Sequence, residues 1–397
     1  MKRIILIILA ILIIGLGTWF AVYGLSSYRA QSAEREKTEF LNKEIEQFLD
    51  SRRDEREKSE PADPFGKDEI ARVLVIGLDR RVGQVDGHCD AIQLITIDRE
   101  KQEVTITAVP RGTYSPLPPG GKYLSSDYYV SKACSIGGLE YGIGQIEKIL
   151  GAKADYLVVL GFSEALGIFR NLDLPTAETL EWLRQRQGYA IGEPQRAHNH
   201  STFIKQMMIK FIPKKSSVTD VALQYILYKT VKTDLSFTEV QALTDALSAM
   251  DFTDHPERIR LVMRPAYTVQ DISYAEEYLG EYLDKMINPI KGLLSKDDYS
   301  GVTEGAAQEK LLEIIDEKKN DSEFVLWAFE NNLWLQIEDD EKRLAVQYEF
   351  LTKYLLSLSE KDQRESVIAD YILEMEYYGE EEWAGKGKEL LAEEVGQ

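Results

Sequence analysis

The stretch Val73-Leu74-Val75-Ile76-Gly77-Leu78-Asp79-Arg80-Arg81 decides the fold, because an uninterrupted apolar run ends there in three charged residues. A short run rich in Val, Ile and Leu that is bounded by polar residues predicts a buried strand. Similar runs predict three more strands, over Ala91–Asp98, Val104–Val109 and Tyr156–Leu160. The first strand is therefore one of several that build a sheet, and its charged residues follow a strand end.

Helical patterns alternate with these strands as far as about residue 265. Residues from Gly138 to Leu150 have helical spacing and precede Gly151, a residue type common after helix C-termini. Ser236-Phe237-Thr238-Glu239 has the capping-box pattern that begins a helix. Elements in this order predict an α/β fold, an α-β-α sandwich around a mixed sheet. The remaining predicted elements are Ser163–Asn171, Ser201–Ile212, Ala222–Val231 and the strand Ile259–Val262.

The last third of the chain has a different pattern. From about Ser273 the strand signal disappears, and apolar residues recur at helical spacing. This pattern indicates an all-α C-terminal extension, whose aromatic side chains we interpret as helix-packing core. The predicted helices are Leu311–Lys318, Phe324–Trp334, Arg343–Ser357 and Arg364–Tyr378.

The N-terminus starts with Met1-Lys2-Arg3 and continues from Ile4 to Leu25 without a charged residue. About 20 apolar residues can span a bilayer as a helix, and the basic residues before them favour a cytoplasmic N-terminus. A cleaved signal peptide is the alternative, although its apolar core is usually only about 7 to 15 residues long. We therefore predict a single-pass cell-membrane protein whose main domain is extracytoplasmic.

The formal net charge of −20 limits the kinds of partner. Nucleic-acid binding requires a basic surface, so the acidic balance argues against DNA or RNA as a ligand. The charge-dense residues 26–68 are interpreted as a solvated spacer that contains a stalk helix. The predicted organisation is a transmembrane anchor at 1–25, a charged stalk or linker at 26–68, a catalytic or binding domain at 69–270 and an acidic helical extension at 271–397.

Aspartates and arginines recur where the predicted strands begin or end. Asp79 follows the first strand, Asp90 precedes the second and Arg111 follows the third. The planar fork of arginine suits phosphate oxygens, and carboxylates together with substrate phosphates are the usual ligands of Mg²⁺. The group predicts a site for a phosphorylated anion and a divalent metal. Its other arginines are Arg81, Arg184, Arg186 and Arg196.

Cys89 and Cys134 are the two cysteines of the chain, and both flank the predicted site. An even number of cysteines outside the cytoplasm is compatible with a disulfide. Two unpaired, partly buried thiols are equally compatible with the sequence, because pairing depends on geometry. Both alternatives stay open at this level.

The order of these motifs resembles the LytR-CpsA-Psr (LCP) family. The resemblance extends over about residues 70–265, roughly half of the chain. The segments that carry it are Val73–Arg81, Asp90–Asp98, Val104–Tyr114, Lys132 with Gly137-Gly138, Ile149–Gly151, Asp155–Phe162, Leu183–Arg186, Gly192–Arg196 and Thr233–Ser236.

The resemblance implies a membrane-anchored transferase of cell-wall biogenesis. Such enzymes move a glycopolymer, for example a teichoic acid or a capsule, from a polyprenyl-pyrophosphate carrier to peptidoglycan, with the lipid tail in a hydrophobic groove. By resemblance, Asp79 and Asp90 would bind Mg²⁺ or Mn²⁺ and would be catalytic together with Arg111; one aspartate would take the proton of the acceptor hydroxyl. The residues that would bind the pyrophosphate are Arg81, Arg111, Arg184, Arg186, Arg196 and Lys132.

The chain departs from the family pattern within the predicted site. His88 and Cys89 occupy positions where the family usually has arginine and a small hydroxyl residue, and Gly112 stands where it prefers aspartate. An arginine-and-glutamine run of the family is replaced here by Asn199, His200 and Ser201. Histidines can act as donors in place of lost arginines. The predicted pyrophosphate-binding residues therefore also include His88 and His200, together with Asn199, which stands in the place of the arginine-and-glutamine run.

Three functions compete at this level. The first is glycopolymer transfer by an LCP-type enzyme. The second is a catalytically weak protein of this fold that binds a lipid-linked sugar or a protein partner, with the C-terminal helices as the docking module. The third is a hydrolase that uses water in place of the acceptor sugar. The retained aspartates and arginines favour the first function, and the departures keep the other two open.

Overall fold

The computed structural model of this chain describes residues 45–56, 63–79, 87–187, 189–213, 218–293 and 304–396. The predicted membrane span at 1–25 lies outside these residues, and so does Arg81. Within the described part of the chain, no helix is both long and apolar enough to cross a membrane.

Six strands of the described residues form one mixed sheet. They are β1 Ile70–Asp79, β2 His88–Asp98, β3 Glu103–Ala108, β4 Tyr156–Leu160, β5 Lys232–Thr233 and β6 Ile259–Met263. Their order across the sheet is β5-β4-β1-β2-β3-β6. β1 is central, pairing antiparallel with β2 and parallel with β4. The apolar run at residues 73–78 thus occupies the middle of the sheet, as its lack of polar residues predicts.

Most of the remaining described residues are helical, and the helices are numbered in chain order. In the α/β part they are α1 (residues 45–56), α2 Val130–Gly137, α3 Leu139–Leu150, α4 Phe162–Asn171, α5 Thr176–Arg184, α6 Gly192–Phe211, α7 Val218–Thr230, α8 Phe237–Ala249 and α9 Leu279–Ile287. In the C-terminal part they are α10 Glu304–Lys318, α11 Ser322–Glu330, α12 Asp340–Leu355, α13 Lys361–Tyr378 and α14 Glu381–Gly396.

The sheet lies between two helical layers because its side chains alternate between its faces. On one face, Leu74 and Ile76 of β1 pack in a core formed with α1, α2 and α3. On the other face, Val73 packs in a core that includes Met208 of α6 and Leu243 of α8. The prediction of an α/β fold with a mixed sheet and a helical C-terminal region is confirmed.

Two helices near the site differ from the expectation. α6 begins at Gly192, nine residues before the predicted start at Ser201, and α5 was not predicted. The first turns of α6 contain Glu193, Gln195 and Arg196 instead of apolar residues, so apolar periodicity could not reveal them. Of these residues, Arg196 reaches the sheet, where it donates to the backbone carbonyl oxygen of Asp90 on β2. The helices α2, α9 and α14 were also not predicted.

Residues 45–56 do not form a solvated spacer, in contrast to the expectation. Ile45 and Leu49 of α1 are buried in the core that covers the sheet. Asp234, which is fully buried, accepts hydrogen bonds from Arg52 Nε at 2.8 Å and Arg56 Nη1 at 2.9 Å. The same carboxylate accepts the backbone N–H of Leu157 at 2.8 Å. This group, the Asp234 cluster (Asp234, Arg52 and Arg56), attaches α1 to the β4–β5 edge of the sheet.

The C-terminal helices carry most of the charge and dock on the α/β part. Residues 271–397 contain 32 acidic and 13 basic residues, a formal charge of −19, so residues 1–270 are nearly neutral at −1. Arg170 of α4 donates to the carbonyl oxygen of Leu335 at 3.0 Å, and Gln336 donates to Ser163 at 2.8 Å. A methyl group on Gly167 would lie 2.6 Å from Leu335, so a glycine permits this close contact.

The α/β part extends beyond the predicted boundary at residue 270. Leu279, Leu283 and Ile287 of α9 are buried in one core with Trp182 of α5 and Phe203 of α6. The packing that supports the α5–α6 region therefore includes α9, which has the strongly one-sided apolar pattern of a helix with a single buried face.

Candidate active site

Arg111 and Asp90 form a close ion pair at one end of the sheet. Asp90 lies near the start of β2, and Arg111 follows β3 after Val109 and Pro110. β2 and β3 are antiparallel neighbours, so the start of one lies beside the end of the other. Arg111 Nη1 donates to both carboxylate oxygens of Asp90 at 2.6 Å. The structure thus brings together two of the predicted catalytic residues.

Glu193 is the centre of a larger group that also includes Arg111. Its Oε1 lies 3.3 Å from Arg111 Nε and 3.0 Å from Arg186 Nη1, and its Oε2 lies 3.0 Å from Arg196 Nη2. These residues form the Glu193 cluster (Glu193, Arg111, Arg186 and Arg196). Its members come from the segment after β3, the α5–α6 connection and the first turns of α6. Three of the predicted pyrophosphate-binding arginines therefore converge on one carboxylate.

Arg196 is the most deeply buried residue of this cluster. Its side chain is 8% exposed, and Nη2 also donates to the backbone carbonyl oxygen of Asp90 at 3.3 Å. Burial lowers the pKa of Arg196, while the carboxylates of Glu193 and Asp90 act in the opposite direction. Burying a guanidinium is unfavourable unless anions and acceptors surround it, which accounts for the contacts of Arg196 with both acidic residues.

Arg184 and Arg186 point to different surroundings, because the end of α5 falls between them. Arg184 is the last residue of the helix, and its guanidinium lies over the ring of Phe162 at 5.1 Å from the centroid. Gln185 has extended dihedral angles, and Arg186 then reaches Glu193. A methyl group on Gly192 would lie 2.8 Å from the carbonyl oxygen of Arg186, so glycine permits the close return of the chain.

The residues after Arg196 hold α6 in place instead of facing the cluster. Asn199 is fully buried, accepting from Gln195 at 2.9 Å and donating to Tyr189 at 3.2 Å. His198, which is buried, lies 2.6 Å from the Asp271 carboxylate. We therefore assign Asn199 a position in the packing of α6, although the sequence analysis predicted a contact with the pyrophosphate.

His200 does not supply a positive charge at neutral pH. Its Nε2 donates to the carbonyl oxygen of Leu183 at 2.6 Å. Burial lowers the pKa of His200 to about 4, and the positive charge of Arg196 acts in the same direction. A positively charged His200 therefore does not replace a lost arginine at neutral pH, and a contact of its neutral ring with the pyrophosphate stays a prediction. Its neutral ring instead links α6 to the end of α5.

The other predicted residues have separate positions. His88 is the first residue of β2 and is paired in register with Asp79 of β1. The Asp79 side chain lies outside the described part, so its contact with metal or substrate stays a prediction. Lys132 of α2 forms an ion pair with Asp127 at 2.7 Å. The backbone N–H of Ser131 donates to the Arg111 carbonyl oxygen at 3.2 Å, which places α2 beside the cluster.

A disulfide joins Cys89 to Cys134, with a Cα–Cα distance of 6.0 Å. It links the residue before Asp90 to α2, and both half-cystines are buried. A methyl group on Gly142 would lie 2.4 Å from the sulfur of Cys134, so the glycine lets α3 approach the bridge. The bridge thereby fixes the start of β2, and with it the position of Asp90, against the helical layer.

A divalent-metal site would rest on few described ligands. Among the described residues, there is no group of three or more His, Cys, Asp or Glu side chains arranged to hold a metal ion. Asp90 provides one described carboxylate, and Asp79 lies on the neighbouring strand. Mg²⁺ commonly uses only one or two carboxylates and completes its shell with water and substrate phosphates. The oxygen donors therefore fit Mg²⁺ or Mn²⁺ in their chemistry.

Glu193 and Gln93 are central to the geometry but were not predicted from the sequence. Gln93 of β2 is buried, donates to the carbonyl oxygen of Ala197 at 3.0 Å and accepts from Ser201 at 2.6 Å, so it fastens α6 to the sheet. A glutamine inside the apolar run of β2 was the available signal. Glu193 had no comparable signal, since an acidic residue in the first turn of a helix is common.

A comparison with known families adds to this geometry. Residues 27–166 match the LytR_cpsA_psr family. The match confirms the family resemblance over this stretch, which includes Asp79, Asp90, Arg111 and Lys132. The other arginines of the Glu193 cluster lie beyond the LytR_cpsA_psr match.

Curated relatives resemble a longer part of the chain. The protein named polyisoprenyl-teichoic acid–peptidoglycan teichoic acid transferase TagU of Bacillus cereus is 22% identical over 246 residues, 61% of this chain and 74% of the relative. The protein of the same name from Bacillus anthracis is 24% identical over the same shares. Among solved structures, Bacillus subtilis TagV is 17% identical, covers 56% of this chain and 98% of its own, and has a TM-score of 0.42. TagT bound to LIIa-WTA is 18% identical, with coverages of 58% and 94% and a TM-score of 0.38.

Proposed function

We propose that this chain is a phosphotransferase that moves a glycopolymer from a polyprenyl-pyrophosphate carrier to peptidoglycan. The convergence of Arg111, Arg186 and Arg196 beside Asp90 is the observation that carries the proposal. Several guanidinium groups around one anion position suit a diphosphate, whose charge is spread over many oxygens. The names of the curated relatives, which are teichoic acid transferases, support the same chemistry.

The proposed reaction exchanges one bond to phosphorus for another. The acceptor hydroxyl oxygen bonds to the phosphorus that bears the glycopolymer, while the bond from this phosphorus to the bridging oxygen of the diphosphate breaks. Polyprenyl phosphate leaves, and Asp79 or Asp90 takes the hydroxyl proton. Arg111, Arg186 and Arg196 neutralise the charge on the transferring group, which is the main task of a protein in phosphoryl transfer.

Asp79 and Asp90 would hold Mg²⁺ or Mn²⁺ in this proposal. When bound, the metal would supply additional positive charge for the phosphate oxygens. Arg111 would keep Asp90 oriented through the ion pair described above. The N-terminal residues 1–25 would anchor the enzyme in the cell membrane with the site outside the cytoplasm, and a protein partner for the acidic C-terminal helices stays a prediction.

A transfer assay on defined substrates tests the proposal. The full chain is incubated with Mg²⁺, a short polyprenyl-pyrophosphate-linked glycan and a peptidoglycan fragment, and the fate of the glycan is followed by mass spectrometry. We expect a phosphodiester-linked product together with polyprenyl phosphate. Arg186→Gln should lower kcat/KM by roughly 10- to 100-fold, since one charge-assisted hydrogen bond contributes about 1.5–3 kcal/mol.

Arg260→Gln is the matched control, because Arg260 is an exposed arginine on β6 that lies 4.0 Å from the exposed Glu103 carboxylate. Asp90→Ala should abolish transfer. Release of a free glycan phosphate in place of the linked product would indicate that the protein is a hydrolase and not a transferase. Binding without any turnover would support the weak-binding alternative, which the internal neutralisation of the arginines by Glu193 favours.

A further inference from the structure

We infer that Glu193 is an internal counterion that occupies the anion position of the arginine cluster and competes with the incoming diphosphate. The inference rests on the proposed function for its ligand, a diphosphate ester. It adds a residue that sets the affinity of the site for that ligand.

The contacts of Glu193 resemble those that a phosphate group makes. Its Oε1 accepts hydrogen bonds from Arg186 at 3.0 Å and from Arg111 at 3.3 Å, and its Oε2 lies 3.0 Å from Arg196 as an ion pair. Arginine binds carboxylate and phosphate oxygens with the same fork of N–H donors. A diphosphate that reaches these guanidinium groups therefore has to take over contacts that Glu193 now makes.

The charges within the site lead to the same conclusion. Arg111, Arg186 and Arg196 carry three positive charges, whereas Asp90 and Glu193 carry two negative charges at close range. With Glu193 in place, these five side chains sum to +1; without its charge, they sum to +2. Since a diphosphate diester carries about two negative charges, Glu193 directly opposes its binding.

The burial of the cluster indicates which contacts can exchange. The side chains of Arg186 and Glu193 are 37% and 28% exposed, while that of Arg196 is nearly buried. Glu193 lies in the first turn of α6 and can change its side-chain rotamer without moving the backbone. The contact with Arg186 lies on the solvent side, so a ligand can displace it there while Arg196 stays in position.

A simpler role for Glu193 must be separated from this one. An acidic residue in the first turn of a helix is stabilised by the helix dipole. Such a role depends on charge at that position and not on reaching the arginines. Aspartate keeps the charge but is shorter by one methylene group, so it should satisfy the dipole while losing contact with Arg111 and Arg186.

Calorimetric titration of the full chain with inorganic pyrophosphate, with and without Mg²⁺, provides the test. We expect Glu193→Gln to lower the Kd by about tenfold or more, and Glu193→Asp to lower it by a smaller factor. Glu178→Gln is the matched control, because Glu178 is an exposed acidic residue in the first turn of α5. It should leave the Kd unchanged.

Two outcomes would overturn the inference. In the first, the pyrophosphate Kd of Glu193→Gln equals or exceeds that of the unmodified chain. In the second, Glu193→Asp behaves like the unmodified chain, as a dipole role requires; this variant also decides the question if Glu193→Gln does not fold. Pyrophosphate binding requires no turnover, so the two experiments are independent. The inference can fail even if glycopolymer transfer is demonstrated, and it can hold even if no transfer is observed.

Discussion

The Asp234 cluster and the Glu193 cluster use the same chemistry in different surroundings. Each places one carboxylate among several arginines, of which Arg52, Arg56 and Arg111 are distant in sequence from the carboxylate they contact. Asp234 is fully buried and also accepts a hydrogen bond from the backbone N–H of Leu157, so both of its carboxylate oxygens have donors within the fold. Glu193 is partly exposed and contacts only side chains among the interactions described for it. The first arrangement holds α1 on the sheet, and the second leaves arginines that a ligand can reach.

The difference shows that burial and backbone contacts decide what an arginine–carboxylate group does. Removing one partner of a buried pair leaves an uncompensated charge, which typically costs several kcal/mol. Pairs at the surface contribute little, about 0–1 kcal/mol. The same type of arginine–carboxylate interaction can therefore attach a helix to the sheet in one place and form an exchangeable binding site in another.

The largest expected effect is the loss of stability on Asp234→Asn. This change keeps the shape of the side chain but removes the buried carboxylate that Arg52 and Arg56 share, at a cost of about 2–4 kcal/mol in the free energy of unfolding. Glu193→Gln should cost less than Asp234→Asn, because two of its three arginine contacts are partly exposed and Arg196 keeps its hydrogen bond to the Asp90 carbonyl oxygen. Urea denaturation of both variants measures the difference.

Asp50→Asn controls for the loss of a carboxylate on α1, since Asp50 is exposed and pairs only at 3.4 Å with Arg53. It should change the free energy of unfolding by less than about 0.5 kcal/mol. Equal losses from Asp234→Asn and Glu193→Gln would remove the distinction between the two clusters.

The second-largest expected effect comes from His200, which bonds to the end of α5 and lies within the electrostatic influence of Arg196. Its pKa is lowered to about 4 in the folded chain, whereas an unfolded histidine titrates near 6.5. Between these values the unfolded chain binds more protons, so stability falls as the pH decreases from about 6.5 to 4. His200→Gln should remove up to about 3 kcal/mol of this decrease.

Thermal or urea unfolding at pH 7, 5.5 and 4.5 measures the effect. His255→Gln is the control, because His255 is exposed and pairs with Glu257 at the surface. If the two histidine variants have the same pH dependence, His200 is not the buried neutral group that the structure indicates.

The smallest expected effect comes from Gly112→Asp, which adds a carboxylate next to Arg111. A side chain at this position would meet open space, so we expect the free energy of unfolding to change by less than about 0.5 kcal/mol. The added negative charge should weaken metal-free pyrophosphate binding by roughly two- to fivefold. Calorimetry measures this change, and Mg²⁺ should reduce it.

Gly280→Asp on α9 is the matched control, because a side chain there would also meet open space. It should leave pyrophosphate binding unchanged. A similar weakening in both variants would indicate a general effect of net charge and not an effect on the cluster.

The sequence by itself determined the elements whose signal is local. Apolar runs located β1 to β4 and β6, and Gly151 and the capping box at Ser236 located helix ends. It also placed Asp79, Asp90 and Arg111 at strand ends, and the sheet brings Asp90 and Arg111 together because antiparallel neighbours align those ends. Local periodicity sufficed here because strand and helix formation depend on residues close in sequence.

Only the tertiary structure decided which charges meet. Glu193 is separated from Arg111 by 82 residues, and Arg52 from Asp234 by 182 residues, so no local pattern could pair them. Because α5 ends between Arg184 and Arg186, Arg184 lies over the Phe162 ring whereas Arg186 contacts Glu193. Burial then lowered the pKa of His200 and enclosed Asn199. Long-range pairing depends on how layers pack, and packing is fixed by the whole fold and not by any one segment.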